Sequence, residues 1–228
     1  MKIQKTLATL TVASILSLSL GGLIYAADNT FTDIESIPGK DKIIALHEQG
    51  FINGVTATEF RPDAIVTNAE AIQFITKGLQ LNLRTMKFIK APQASDNFTH
   101  VKNDAWFAEA FINAFYNNID LPKDIKPSKS ITKEQFTYYL LKGVEKVGNL
   151  PMINLVQVAI TDEDEITAMY QGAIQRSLKW NINTLTSGAK FNPKSELTRS
   201  EAAVMIFNAL QYLKTNSIDS MNPLNNNK

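Results

Sequence analysis

The sequence contains no cysteine and only two histidines, His47 and His100, among 228 residues. The first absence excludes a disulfide, a thiolate-bound metal, a cysteine nucleophile and a lipid-modified cysteine. The second leaves little from which to build a histidine metal site or a catalytic triad. Charge of one sign is also scarce. Lys and Arg number 23 against 22 Asp and Glu, a formal charge of +1. Such a chain has no bulk field to draw in nucleic acid or an anionic membrane. What remains is 44% hydrophobic and 20% charged, the balance of an ordinary globular protein, not of a disordered tail or a collagen-like fibre.

Charge is missing altogether from residues 6–26, a stretch rich in Leu, Ile, Val and Ala that follows Lys2 and Lys5. A positive start, an apolar middle and a small residue before a polar chain are the layout of a secretory signal peptide, expected to be cut after Ala26. The competing reading is an uncleaved anchor, because the stretch approaches the roughly 20 residues that a membrane span needs. The Gly21–Gly22 break and the Ala26–Ala27 pair favour cleavage. Loss of Lys2 and Lys5 leaves 21 positive against 22 negative charges, a net charge of −1. An exported chain without cysteine must find its stability in packing alone.

Three segments then align without a gap: FRPDAIVTNAE (residues 60–70), IKPSKSITKEQ (125–135) and FNPKSELTRSE (191–201). Each has an apolar residue, a proline two places on (Pro62, Pro127, Pro193) and a threonine seven places on (Thr67, Thr132, Thr198). Thr67 with Glu70, Thr132 with Gln135 and Thr198 with Glu201 form three capping boxes. In each, the hydroxyl accepts from a free first-turn amide and the Glu or Gln reaches back to the cap, worth roughly 1 kcal/mol per helix. Apolar residues follow at helical spacing: Ala71, Phe74, Ile75 and Leu79; Phe136, Tyr139, Leu140 and Val144; Ala202, Met205, Ile206 and Leu210. Eleven places after each threonine stands a small residue, Gly78, Gly143 or Ala209. This predicts that the three helices approach closely there.

An earlier helix is expected before each motif. The first covers residues 40–49, with Ile43, Ile44 and Leu46 inward and Gly50 ending it. The second covers 105–117, with Trp106, Ala110, Phe111 and Ala114 on one side. The third covers 166–180, with Met169, Ala173, Ile174 and Leu178. An apolar–x–polar step precedes each: Phe31-Thr32-Asp33, Phe98-Thr99-His100 and Ile160-Thr161-Asp162. The expected units are therefore repeats at 27–81, 95–147 and 157–214, after the signal peptide at 1–26 and before a disordered tail at 215–228. Residues 82–94 and 148–156 read as linkers, with 86–89 open to a helical reading.

These residues resemble the S-layer homology domain, a module that fixes exported proteins to bacterial cell walls. The first copy, FTDI followed by ALHEQGFINGVTATEFRPDAIVTNAE, follows the family pattern most closely; LTRSE at 197–201 carries its hallmark best. The second copy keeps the early tryptophan, Trp106 in DAWFAEAF, but has a shortened loop and ITKEQ. The resemblance implies a mainly α fold, three helix–loop–helix repeats in a pseudo-threefold spindle around a bundle of the capped helices. It also implies binding of secondary cell-wall polysaccharide, often bearing pyruvate ketals, in grooves between repeats. The arginine of the hallmark supplies the anion contact.

The residue after the capping threonine is Asn68, Lys133 and Arg199 in the three copies. A cation there opposes the helix dipole, so stability explains it poorly, whereas a cation beside free amides makes an anion site. Arg199 is thus the leading ligand residue, against a solvated or salt-bridged surface arginine. Lys133 keeps the charge but not the two-pronged geometry, and a groove built on Asn68 should bind acid sugars weakly or not at all. Trp106 reads first as core and second as a sugar platform; Trp180 is a further stacking candidate. Asn53-Gly54 is a turn first and a groove-lining backbone second. The acidic run 161–165 lacks the spacing of a calcium loop, and His47 and His100 read as bystanders.

No paired-carboxylate, triad or metal constellation emerges, so the leading expectation is a non-catalytic exported wall-binding protein, monomeric, with no cofactor, nucleic-acid partner or membrane contact after cleavage. The alternative is a diverged module that has lost glycan binding and meets a protein partner at the cell surface.

Overall fold

Each capping threonine starts a helix. In the computed structural model of the chain, which describes residues 31–150 and 156–216, six α-helices follow in order: α1 (Lys40–Glu48), α2 (Asn68–Gly78), α3 (Ala108–Tyr116), α4 (Lys133–Gly148), α5 (Ala168–Lys179) and α6 (Arg199–Asn216). Among the described residues, extended structure is confined to isolated bridges. The mainly helical class expected from sequence holds. The Thr67 and Thr132 hydroxyls each accept from the amide three residues on, and the Glu70 and Gln135 side chains accept from the cap amides. Thr198 does the same with Glu201, at 3.3 Å in one direction and 2.9 Å in the other.

The segments leading into α2, α4 and α6 close a ring. Val66 N–H donates to Leu197 O at 2.9 Å, Leu197 N–H to Ile131 O at 3.2 Å and Ile131 N–H to Val66 O at 3.0 Å. The next amides continue it: Asn68 to Lys129 O, Lys133 to Ser195 O and Arg199 to Ala64 O. One residue further, Ala69, Glu134 and Ser200 donate to Pro127 O, Pro193 O and Pro62 O. The prolines shared by the three motifs therefore supply carbonyls to the first turn of a neighbouring helix. Prolines have no N–H but keep a full acceptor.

Behind the ring, α2, α4 and α6 touch one another in pairs. Their facing residues Ala71, Ile75, Phe136, Leu140, Ala202 and Ile206 have no exposed surface, and burial of each large apolar side chain contributes about 1.5–3 kcal/mol. The small residues eleven places on are required by proximity. A Cβ at Gly78 would lie 2.6 Å from Ile206 Cγ2, one at Gly143 would lie 2.5 Å from Leu79 Cδ1, and Ala209 is fully buried.

The outer helices pair with this centre, α1 against α6, α3 against α2 and α5 against α4. Gly50, at φ 72°, ends α1 as expected, and Asn118 (φ 61°) and Asn181 (φ 54°) perform the same service after α3 and α5. In each case the following amide returns to the helix: Phe51 to Leu46 O, Ile119 to Ala114 O and Ile182 to Ser177 O. Asparagine tolerates the left-handed region better than most residues.

Several expectations change. Helix α3 begins at Ala108, not 105, so Trp106 lies before it and is 65% exposed; the core reading of Trp106 is wrong. Met169 is likewise exposed instead of inward. Residues 86–89 are not helical. Gly148 belongs to α4, and Thr215 and Asn216 belong to α6, not to a linker or tail. The signal peptide at 1–26, the middle of the second linker (151–155) and the tail from 217 lie outside the described residues. Among the described residues no helix is long and apolar enough to cross a membrane.

Candidate binding groove at Arg199

Arg199 opens α6, and the ring hydrogen bonds carry it across to the first repeat. Its side chain is buried there. Nε donates to Phe60 O at 2.9 Å and Nη2 to Asn53 O at 3.2 Å, while Nη1 stands 3.5 Å from Glu70. The guanidinium carbon lies 4.9 Å from the Phe60 ring and 5.0 Å from that of Phe74. Burial pulls the Arg199 pKa below its usual range, with Glu70 and Asp33 opposing the shift. Arg199 is therefore not a solvated arginine, whereas the salt-bridged alternative stands in its contact with Glu70. The premise of free first-turn amides is overturned as well. Those of Arg199 and Ser200 are already bonded to Ala64 O and Pro62 O, so an anion would be met by side chains and not by the helix terminus.

Beside Arg199 is a cavity of about 380 Å³, within the range of about 300–1,000 Å³ common for small-molecule sites. Four of the six ligand candidates from the sequence meet around it, Arg199, Asn53, Gly54 and Trp106, together with the capping residue Glu70. Gly54 is sterically required, because a Cβ there would lie 2.4 Å from Thr56 O and 2.5 Å from the Phe31 ring. The groove is thus built from all three repeats: the loop after α1 with α2, the start of α6, and Trp106 ahead of α3. It also contains two residues that sequence reasoning missed, Gln73 and Lys77 on α2. They are four apart and share a helix face. With its side-chain oxygen turned outward, Asn53 accepts from Lys77 Nζ at 3.2 Å. Lys77 is exposed and brings the accessible positive charge. Its only signal in the sequence was its place on the solvent side of a capped helix.

The other two copies keep the backbone frame and change the side chains. Half-buried Lys133 lies 4.8 Å over the Phe191 ring, and burial lowers its pKa against the opposing pull of Glu201 and Asp162. A cavity of about 350 Å³ adjoins it, with Ile37, Pro38, Val204 and Asn183 in its wall and no aromatic platform. Asn68 is buried, and its Nδ2 donates to Lys126 O at 3.0 Å. In that interface Tyr138 stands six places after its threonine, the position of Gln73 and Val204 in the other copies. Its ring packs 5.0 Å from Tyr170, its hydroxyl donates to Asp120 at 2.8 Å, and burial with Asp120 pushes its pKa up to about 12.

Residues 30–72 match the S-layer homology domain family. The first repeat is thus similar to an S-layer homology domain. A domain of this kind implies association with a bacterial cell surface and its wall. The chain is also 29% identical over 192 residues to an amylopullulanase of Thermoanaerobacterium thermosulfurigenes, covering 82% of this chain and 10% of that protein. An exoglucanase of Acetivibrio thermocellus is 29% identical over 191 residues, 83% of this chain and 17% of its own length. An endoglucanase of a Bacillus species is 24% identical over 217 residues, 90% and 22% respectively. The chain therefore spans between a tenth and about a fifth of the length of these curated relatives.

Trp180 is not brought to the groove. It is buried, stacked on Tyr212 at 4.7 Å, and lines a separate cavity near the end of α6. Its role as a stacking platform is replaced by packing, although its Nε1 has no hydrogen-bond partner among the described residues. Asp162, in the acidic run, is occupied by the amides of Phe191 (2.8 Å) and Asn192 (2.7 Å). Asp33 holds Phe60 and Arg61 in the same way at 2.9 and 2.7 Å. Among the described residues no group of three His, Cys, Asp or Glu side chains is placed to hold a metal ion.

Proposed function

We propose that this is an exported, non-catalytic wall-binding protein whose Arg199 groove takes an acidic unit of secondary cell-wall polysaccharide. The observation that carries the reading is the convergence of three repeats on one cavity. An exposed cation (Lys77), a buried cation (Arg199), a half-buried amide (Gln73) and an exposed indole (Trp106) share its wall. A carboxylate or ketal acid would lie against exposed Lys77, with the buried Arg199 guanidinium behind it, and the flat face of a sugar ring would lie on Trp106. The Lys133 groove, with one cation and an Ile37–Pro38 wall, binds the same acid more weakly. The Asn68 interface, filled by Tyr138, binds none.

The test is sedimentation of the protein with purified wall sacculi before and after removal of the polysaccharide. Binding to the first preparation and not to the second is expected. Failure to bind either would end the glycan reading and favour the second one, a surface module that meets a protein partner. That alternative is kept because Arg199 has so many of its donors engaged within the fold.

A further inference from the structure

Trp106 borders two cavities, not one. On its other side, between α2 and α3, is a second opening of about 370 Å³ whose wall includes Gln73, Lys77, Gln80, Arg84, Glu109 and Asn113. Gln73 and Lys77 line both cavities, so the two lie along one face of α2 and meet at the tryptophan. We propose that they form one cleft, and that the α2–α3 cavity takes the next sugar of the bound glycan through that sugar's hydroxyls. This rests on the reading of the Arg199 groove as an acid-sugar site.

The two ends share Lys77 and each adds one further cation and one carboxylate, but they differ in what surrounds these charges, apolar groups such as Ile52 and Phe74 at one end and amides at the other. At the Arg199 end the charged groups around the cavity are two cations and the capping carboxylate Glu70, which Arg199 Nη1 faces at 3.5 Å. At the far end exposed Glu109 stands with exposed Arg84 and with the amides of Gln80 and Asn113. A carboxylate accepts only, a guanidinium donates only, and amides do both. That set matches sugar hydroxyls, which also do both. An indole left 65% exposed between two cavities is poorly explained by packing. It is well placed to carry the ring that joins the two positions.

The experiment uses the full chain and wall polysaccharide cut by partial acid hydrolysis into one-sugar and two-sugar pieces, each keeping its acidic end, with binding followed by calorimetry. The two-sugar piece is expected to bind about tenfold tighter than the one-sugar piece. Arg84→Ala combined with Asn113→Ala should abolish that gain, leaving the affinity for the one-sugar piece and the melting temperature unchanged. Equal affinities for the two pieces in the wild type, or a full gain retained by the double variant, would overturn the second position alone. If the wild type binds neither piece, the acid-sugar reading falls with it.

Discussion

The Arg199 and Asn68 interfaces share one backbone and differ in what they leave open. In both, the amide after the capping threonine bonds to a carbonyl of the neighbouring repeat. In the first, the side chain is a cation, the capping acid of the same interface is Glu70, and Gln73 and Lys77 border open space. In the second, the side chain is Asn68, the capping residue is the neutral Gln135, and Tyr138 fills the place of Gln73. The Lys133 interface falls between them, with Lys133 set against Glu201. Cation and capping acid are thus kept or lost together. An unpaired buried charge would be penalised more heavily than a missing pair.

The largest effect that can break this comparison is expected from Arg199→Ala. It strands Phe60 O and Asn53 O and leaves Glu70 without its cation, costing about 3–5 kcal/mol in denaturant unfolding and abolishing sedimentation with sacculi. Asn68→Ala should cost about 1 kcal/mol and leave sedimentation intact. Equal losses of sedimentation in the two would show that the groove has been assigned to the wrong interface.

Next in size is Asn68→Arg, which buries a cation in an interface whose capping residue is the neutral Gln135 and should destabilise by about 2 kcal/mol. Adding Gln135→Glu should return about 1 kcal/mol or more of coupling in a double-mutant cycle. A coupling near zero would sever the link between cation and capping residue.

Smaller still, Trp106→Ala is expected to weaken wall binding about tenfold, or ~1.4 kcal/mol, with no change in melting temperature, because the indole covers little of the core. A fall in melting temperature without loss of binding would return Trp106 to the packing role.

The smallest effect concerns Asp162. Burial alone would raise its pKa, but the amides of Phe191, Asn192 and Asp162 itself bring it below the ordinary 3.8. A carboxyl depressed in the folded state stabilises above its unfolded pKa, and that contribution is lost as pH falls through the lowered value. Asp162→Asn should therefore cost about 1 kcal/mol near neutrality and nothing at the acid end of the same titration. A difference independent of pH would mean that the charge is irrelevant there.

Much of the fold was written locally. Thr67, Thr132 and Thr198 with their partners three residues on marked the inner helices, and periodicity named the buried face down to Gly78, Gly143 and Ala209. Both signals work within a turn or two of chain, where sequence spacing and spatial distance are the same thing. Helix beginnings without a capping side chain were less legible. Phe107 and Thr167 provide no side-chain cap to α3 and α5, and so Trp106 and Met169 were given to the wrong face.

The sequence by itself determined three capped helices, their close approach, and a graded series of Asn68, Lys133 and Arg199 at one position. Only the tertiary structure decided which of these stands beside an open cavity. That depends on residues as distant as Asn53, Lys77, Trp106 and Arg199 arriving together, each from its own element. It also decided that the first-turn amides are spent on a ring of carbonyls. Pairing of this kind is set by packing three repeats against one another, and no spacing along the chain records it.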